Sequence, residues 1–435
     1  MKPIGIRRED KSVRERRTPI PPDQAGRLVR EGIPVRVQPN PRRIFTDEEY
    51  RRAGAVVDED LSPCSIIFGV KEIPPDLFLE EKAYVFFAHV IKGQKYNMPM
   101  FRRMMERRCH LIDYERIVDE KGRRLVLFGR HAGLAGMIET LRAAGKRLEA
   151  EGFDTPLARI KMALEYDSLE EARTAIRDAG ASIREGEWPA ELTPFTIGFA
   201  GYGNVSQGAQ EIYGLLDPVE VSPGDLASGA PAATRARPFV KVVFYEKDLV
   251  EPVRPGDAFE LRDYYDHPEK YRSVFERHLP HLDALVNAVY WDDRYPRFVT
   301  LDWLRRAWSG GKPRLRVIGD ITCDIGGAVE STVKAMEPGN PCFVYEPLTG
   351  ETVEGVVGNG PVMMTVDILP AELPREASLS FGEALAPFLA DLARADLSLP
   401  RDRVELPGPI REALILHKGE LTEDYRYLTK YLGQE

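Results

Sequence analysis

With 435 residues, of which 43% are hydrophobic and 30% charged, the chain has material for more than one buried core and needs no disulfide or metal staple. A net charge of -9 disfavours nucleic acid as a partner. No stretch has the apolar continuity of a signal peptide or a membrane span, so a cytoplasmic protein is expected. The four cysteines, Cys64, Cys109, Cys323 and Cys342, lie far apart without a C-x-x-C pair, which fits reduced buried thiols and no metal site.

In chain order, the first third alternates short apolar runs with helical stretches. Strands are predicted at Ile4 to Arg7, Val35 to Gln38, Ile66 to Lys71, Tyr84 to His89 and Leu111 to Tyr114. A helix over Pro22 to Arg30 stops before Gly32. This is βαβ order and predicts a parallel sheet. A further strand is read at Arg123 to Gly129, then a glycine-rich turn at Gly133 to Gly136. A long helix with Met137, Leu141, Ala144 and Leu148 on one face follows, and the first domain boundary is placed at 132/133. Asp167-Ser-Leu-Glu-Glu171 reads as a capping box opening a helix that stops at Gly180. The strand Ile197 to Ala200 runs into Gly201-Tyr-Gly203, and Val205, Ala209 and Ile212 mark the next helix. Strands Val219 to Ser222, Ala284 to Trp291 and Leu315 to Ile321 extend that sheet, and Ser222 to Arg237 reads as a loop. The segment from about 362 holds a helix over Glu383 to Arg394 and an irregular charged tail. The expected class is α/β, two Rossmann-like domains with parallel sheets and a ligand cleft between them.

Chemistry is sought at the carboxyl ends of those strands. In Gly201-Tyr202-Gly203 the first glycine supplies a backbone conformation other residues resist. The second lets a pyrophosphate approach the amides of Asn204 and Val205, where the helix dipole favours an anion. Ser206 stands where the full fingerprint has Gly or Ala, and an ordinary strand-to-helix turn remains the alternative. Ser222 ends the strand about twenty residues on, where an NAD-selective site holds an acid for the ribose 2′-hydroxyl. Without that acid NADP(H) is expected over NAD(H), with Arg235 and Arg237 as partners for a 2′-phosphate. Lys71 and His89 end two strands of the first sheet; a desolvated lysine and a histidine can both exchange protons near neutral pH. Either alone is as well explained by a structural role. Arg16, Arg17, Lys92, Arg123 and Arg124 lie near the same ends and suit a substrate with several carboxylates, unless they are solvent-facing charge. The first 52 residues hold fourteen Lys and Arg against eight Asp and Glu, which agrees with an anion-binding lobe. Asp320 and Asp324 follow another strand and either face a nicotinamide or ribose or cap a turn.

Taken together, Arg17 in Glu-Arg-Arg-Thr-Pro, Lys71 in Gly-Val-Lys-Glu, His89 in Phe-Phe-Ala-His, Ala132-Gly-Leu-Ala-Gly136 and Gly201-Tyr-Gly-Asn-Val-Ser-Gln-Gly208 resemble the lysine-2-oxoglutarate reductase half of aminoadipic-semialdehyde synthase. Asp263-Tyr-Tyr-Asp-His-Pro-Glu-Lys-Tyr271, Gly319-Asp-Ile-Thr-Cys-Asp324 and Leu369-Pro-Ala-Glu-Leu-Pro-Arg-Glu-Ala377 add to the likeness, which runs the length of the chain. More distantly the chain resembles lysine-forming saccharopine dehydrogenases, alanine dehydrogenase and nicotinamide nucleotide transhydrogenase. The resemblance implies a substrate domain of 1–132 completed by 362–435, and a dinucleotide-binding domain of 133–361. It implies condensation of L-lysine with 2-oxoglutarate and reduction of the imine to saccharopine. Lys71 and His89 match catalytic positions, Arg17 and Arg124 match carboxylate-binding arginines, Lys92 matches a further basic residue of the substrate pocket, with Arg123 beside Arg124 as a candidate, and Asp324 matches an aspartate near the nicotinamide.

The expected activity is therefore that of a monofunctional, reversible saccharopine-forming reductase using NADPH. Its expected partners are lysine, 2-oxoglutarate and saccharopine, with no nucleic acid or membrane, and with homo-oligomerisation left open. A dehydrogenase of the same fold acting on another amine and 2-oxoacid pair would keep Lys71 and His89, whereas a nucleotide-sensing protein without turnover would not need them.

Overall fold

A computed structural model describes residues 2–227 and 233–433. The chain forms two compact units, Met1–Phe128 with Pro374–Glu435, and Gly129–Leu373. The first unit contains β1 (Ile4–Ile6), β2 (Val35–Val37), β3 (Val56–Val57), β4 (Ile66–Phe68), β5 (Ala83–Phe86) and β6 (His110–Asp113). The second contains β7 (Phe195–Ala200), β8 (Val219–Val221), β9 (Phe239–Phe244), β10 (Val250–Pro252), β11 (Tyr271–Ser273), β12 (Ala284–Asn287), β13 (Val317–Asp320), β14 (Cys342–Tyr345), β15 (Thr352–Glu354) and β16 (Val362–Met364). β17 (Leu414–His417) and β18 (Glu420–Leu421) return to the first.

The first sheet has the order β18-β17-β6-β5-β4-β1-β2-β3, parallel from β6 to β3 with β17 antiparallel to β6. Its central strands are buried along their whole length, as a parallel sheet covered on both faces requires. The helix Pro22–Arg30 forms where periodicity placed it, with Pro22 in the first turn, Asp23 at the positive end and Arg27 and Arg30 at the negative end. The helix Pro374–Arg394 buries Ala377, Phe381, Leu385, Leu389 and Leu392 along one stripe, and Phe381 stacks on Phe128 with ring centroids 4.4 Å apart. It begins well before Glu383. The tail read as irregular supplies β17, whose Leu414, Ile415 and Leu416 are buried beside β6.

The second sheet has the order β15-β14-β16-β13-β12-β7-β9-β8, with β8 through β16 parallel and β14 and β15 antiparallel at one edge. Because β16 pairs with β13, residues 362–373 stay with this unit, and the division falls at 373/374 rather than at 361/362. The other division falls at 128/129, where the helix Gly129–Ala150 begins.

Three local expectations fail for identifiable reasons. Arg123 to Gly129 is not a strand: the Asp119 carboxylate accepts the backbone N–H groups of Lys121 and Arg123 at 2.9 Å, closing a turn across the Val118–Arg124 bridge. Gly133 to Gly136 is not a turn but lies inside the helix Gly129–Ala150. A Cβ on Gly133 would stand 1.9 Å from the Val205 carbonyl oxygen, so glycine is there to let this helix touch the helix Asn204–Gly214 backbone to backbone. Finally, Ser168 caps its helix as predicted by accepting from Glu171 N–H, but that helix passes Gly180 and ends at Arg184. In the expected loop Ser222 to Arg237, Pro223–Ala227 is a short helix and residues 228–232 lie outside the described residues. Among the described residues no helix is long and apolar enough to cross a membrane.

Candidate functional site

In the first unit β1, β4 and β5 are consecutive neighbours, and Glu9, Lys71 and His89 each follow their carboxyl ends by the same short step. Glu9 is buried, and its carboxyl accepts the backbone N–H groups of Val70 at 2.8 Å and Lys71 at 2.9 Å. It thereby fixes the backbone from which the Lys71 side chain departs. Burial pushes Glu9 up to about 7, against the pull of Arg7 and of the two amides.

His89 lies in the left-handed backbone region, with φ of 48°, where histidine is tolerated but not preferred. Asn97 holds the turn by donating to the Ala88 and His89 carbonyls, both at 3.1 Å. The His89 Nδ1 sits 2.9 Å from Glu72 Oε1. Burial would raise the Glu72 carboxyl, but the hydrogen bond to His89, its charge, and Lys11 at 3.5 Å outweigh that and bring it down to about 2. An ionised Glu72 accepts from an Nδ1–H, which sets the tautomer and leaves Nε2 to exchange protons. Asp113, at the end of β6, is fully buried and accepts from Ala88 N–H at 3.3 Å and Glu115 N–H at 2.9 Å; burial pushes it up to about 7.

Of the basic residues expected around this pair, Arg17 is drawn into the interior rather than left open. Its Nε donates to Glu15 Oε1 at 2.8 Å and its Nη2 to Oε2 at 2.6 Å, with the guanidinium 4.3 Å from the centroid of the Phe128 ring. Burial would raise Glu15, but Arg17 holds it below the usual carboxylate range, and the Lys71 charge adds to that pull. Arg17, Glu15 and Lys71 thus share one electrostatic cluster. Phe87, 6.0 Å from both the Phe128 and His89 rings, sits between this cluster and His89. Arg124 pairs with Glu115 at 3.0 Å and Arg123 with Asp119 at 2.7 Å, the latter 74% exposed. Lys92 is exposed, with its backbone N–H on Gln94. Arg16 donates to the Arg42 carbonyl. The geometry draws Arg17 and Lys71 together and places Arg123 and Lys92 on the surface. Glu9, Glu15 and Glu72 were missed, although Glu72 directly follows Lys71 and Glu15 precedes Arg17 by two; carboxylates flanking a candidate cation were the available signal.

In the second unit Gly201 has φ of 93° and a Cβ there would meet the Ala288 carbonyl at 3.0 Å, so the turn demands glycine. Gly203 caps the helix Asn204–Gly214 without any side-chain hydrogen bond, and a Cβ on it would find nothing within 4 Å. The amides of Asn204 and Val205 therefore begin a helix whose N-terminal end has open space above Gly203, which fits a dinucleotide pyrophosphate. Ser206 is buried and accepts from Gln210, so the third fingerprint position packs inward. Asp320 is saturated by the fold: it accepts from Asn287 at 2.8 Å, Thr322 at 2.9 Å, Thr332 at 2.5 Å and Cys323 N–H at 3.2 Å. Of the two readings offered for it, capping a turn is the one this geometry matches. Asp324 is exposed in the loop after β13, within electrostatic range of Tyr290. The expectation for Ser222 is corrected. Its hydroxyl donates to Asp225 at 2.7 Å and accepts from Asp225 N–H at 3.1 Å as the cap of the short helix, and β8, which it ends, is an edge strand separated from β7 by β9. Arg237 pairs with Asp217 at 3.0 Å.

Residues 5–135 match the family described as alanine dehydrogenase/PNT, N-terminal domain. Over 98% of its length the chain is 36% identical to the alpha-aminoadipic semialdehyde synthase of Arabidopsis thaliana, covering 41% of that protein. Over 99% of its length it is 34% identical to the mitochondrial alpha-aminoadipic semialdehyde synthase of Mus musculus, covering 48%. The chain spans less than half the length of these curated relatives. It is also 27% identical to a saccharopine dehydrogenase (NAD(+), L-lysine-forming) of Neurospora crassa over 89% of the chain and 91% of that protein. Among solved structures an L-alanine dehydrogenase superposes with a TM-score of 0.64 at 17% identity, covering 99% of each chain. This last likeness carries the fold alone, two Rossmann-like domains.

Proposed function

For a chain homologous from end to end with alpha-aminoadipic semialdehyde synthases, we propose that it is an oxidoreductase of lysine metabolism that condenses L-lysine with 2-oxoglutarate and reduces the imine to saccharopine, reversibly. The observation that carries this reading is the placement of Lys71 and His89 at the carboxyl ends of neighbouring parallel strands, with Glu72 on His89 Nδ1. A bound nicotinamide dinucleotide would supply the hydride, and the Gly201 turn with the amides of Asn204 and Val205 would hold its pyrophosphate.

The remaining work falls to the first unit. Imine formation requires a neutral amine, a proton for the carbonyl oxygen as the carbinolamine forms, and a proton for the departing water. His89 Nε2 can take the proton from the amine, because the ionised Glu72 stabilises the imidazolium so formed. Lys71, set beside Glu15 and held through its backbone by Glu9, is the acid for the oxygen. Lys71 offers positive charge to substrate carboxylates, with Arg124 as a further candidate, whereas the charge of Arg17 is met by Glu15. Asp324 is proposed for the nicotinamide side, whereas Asp320 is buried and accepts hydrogen bonds from Asn287, Thr322, Cys323 and Thr332. The test is a steady-state assay of nicotinamide absorbance with lysine and 2-oxoglutarate, and with saccharopine in the reverse direction. Faster turnover with ammonia and pyruvate than with lysine and 2-oxoglutarate would assign the chain to amino-acid dehydrogenation instead.

A further inference from the structure

A Rossmann site reads the adenosine ribose from the strand that lies beside the Gly-rich turn in space, not from the strand that follows it in sequence. Here the two differ. β7 pairs along its whole length with β9, and β8 is on the far side of β9. Gly201 N–H donates to the Phe244 carbonyl at 3.1 Å, so the last residue of β9 touches the first glycine of the turn. The residues that leave β9 are Tyr245 and Glu246. Tyr245 lies against Tyr202, the residue between the two glycines, with ring centroids 4.7 Å apart. Tyr202 donates its hydroxyl to Glu246 Oε1 at 3.4 Å, and Tyr265 donates to the same oxygen at 2.5 Å. A carboxylate is thus pinned by one oxygen at the mouth of the Gly201 turn, among three tyrosines that are each more than a third exposed.

We infer that Glu246 is the residue that reads the adenosine ribose, accepting hydrogen bonds from the hydroxyls of an unphosphorylated dinucleotide and repelling a 2′-phosphate. The chain therefore selects NADH over NADPH. This rests on the proposed function in one respect only, that the second unit binds a nicotinamide dinucleotide. Arg237 precedes β9 and Lys241 lies in its amino-terminal half, away from the carboxyl end that leads to Glu246, and the two are paired with Asp217 at 3.0 Å and Glu220 at 2.8 Å. Lys247, next in sequence, favours a phosphate, and keeping it unchanged in every variant isolates the effect of Glu246.

The experiment is direct titration of the whole protein with NADH and, separately, NADPH, followed by nucleotide fluorescence with no amine or oxoacid present. The wild type should bind NADH at least about tenfold more tightly than NADPH, since a like charge beside the 2′-phosphate is strongly unfavourable. Glu246→Ser should remove most of that preference and Glu246→Arg should reverse it. Melting curves establish that both variants fold, and the Ser variant alone suffices if the Arg variant does not. Equal or tighter binding of NADPH by the wild type, or an unchanged ratio in Glu246→Ser, overturns the inference. NADH selectivity without saccharopine formation would leave it standing and remove the proposed function; NADPH selectivity with saccharopine formation would do the opposite; binding of neither nucleotide would remove both.

Discussion

Replacing Glu72 by Gln keeps an acceptor for His89 Nδ1 and removes the charge, so it separates positioning from electrostatics. Burial works against ionisation of Glu72, yet its carboxyl is held at about 2 rather than 4.5. At 1.36 kcal/mol for each tenfold, the attraction from His89, the Glu72 backbone N–H and Lys11 together exceeds the burial cost by roughly 3 kcal/mol. Coupling of this kind is reciprocal, so the carboxylate stabilises the imidazolium formed when His89 accepts a proton. In Glu72→Gln kcat at neutral pH should fall by roughly one to two decades. The sign for stability follows from the depressed carboxyl. Its contribution is full above about 4.5 and is lost as pH falls toward about 2, so the variant should lose less melting temperature than the wild type between pH 5 and 3, taken as roughly the accessible part of that window. A kcat at neutral pH within about twofold of the wild type would refute the Glu72–His89 account.

Lys71→Met should lower kcat by roughly two to four decades while NADH affinity in a fluorescence titration stays unchanged. Gly133→Ala forces a Cβ to within 1.9 Å of the Val205 carbonyl, so the two helices must separate; a loss of about 2–3 kcal/mol and weaker dinucleotide binding are expected from melting and titration. Glu9 and Asp113 are both raised to about 7 by burial, so their stabilising contribution is full below about 4 and fades as pH rises through 7. The melting temperature of the first unit should accordingly decline between roughly pH 4 and 7, and Asp113→Asn should flatten that decline. Ser222→Asp should leave the NADH to NADPH binding ratio within about twofold of the wild type, because Ser222 is a helix cap on an edge strand.

What could be read from residue order was whatever depends on local patterning. The strands at Ile4, Val35, Ile66, Tyr84 and Leu111 lie within a residue or so of their observed starts, because a sheet buried on both faces writes itself as continuous apolar runs. Pro22 and Gly32 bracket their helix for equally local reasons. Failures occur where a distant partner decides. Gly133 and Gly136 look like turn residues until the helix Asn204–Gly214 is placed against the first and the Ile321 and Leu369 side chains against the second, and Leu414 to Leu416 look like tail until β6 offers an edge. The site behaves the same way. Lys71 and His89 could be chosen because strand ends are identifiable in sequence, but the partners that set their chemistry, Glu9 from sixty residues upstream and Glu72 across a turn, are visible only in space. Arg17 shows the converse, since a cation that sequence leaves open turns out to be buried on Glu15.

The cofactor question follows from that same distinction between order and adjacency. Counting about twenty residues from Gly201 locates the next strand in sequence, and the count identifies the ribose-reading residue only if that strand pairs with the one before the turn. In this chain the helix Asn204–Gly214 delivers β8 to the sheet edge, and β9 is then inserted between β8 and β7. The insertion moves the electrostatic decision from Ser222, which has no charge, to Glu246, which has one. It also accounts for Ser222 and Asp225 serving as a helix cap: at an edge strand they have no ribose to meet. Two chains could therefore share the Gly201 motif and the spacing after it, differ only in which strand pairs with β7, and take different dinucleotides. Exchanging the residue at position 246 should change cofactor choice, and exchanging the residue at 222 should not.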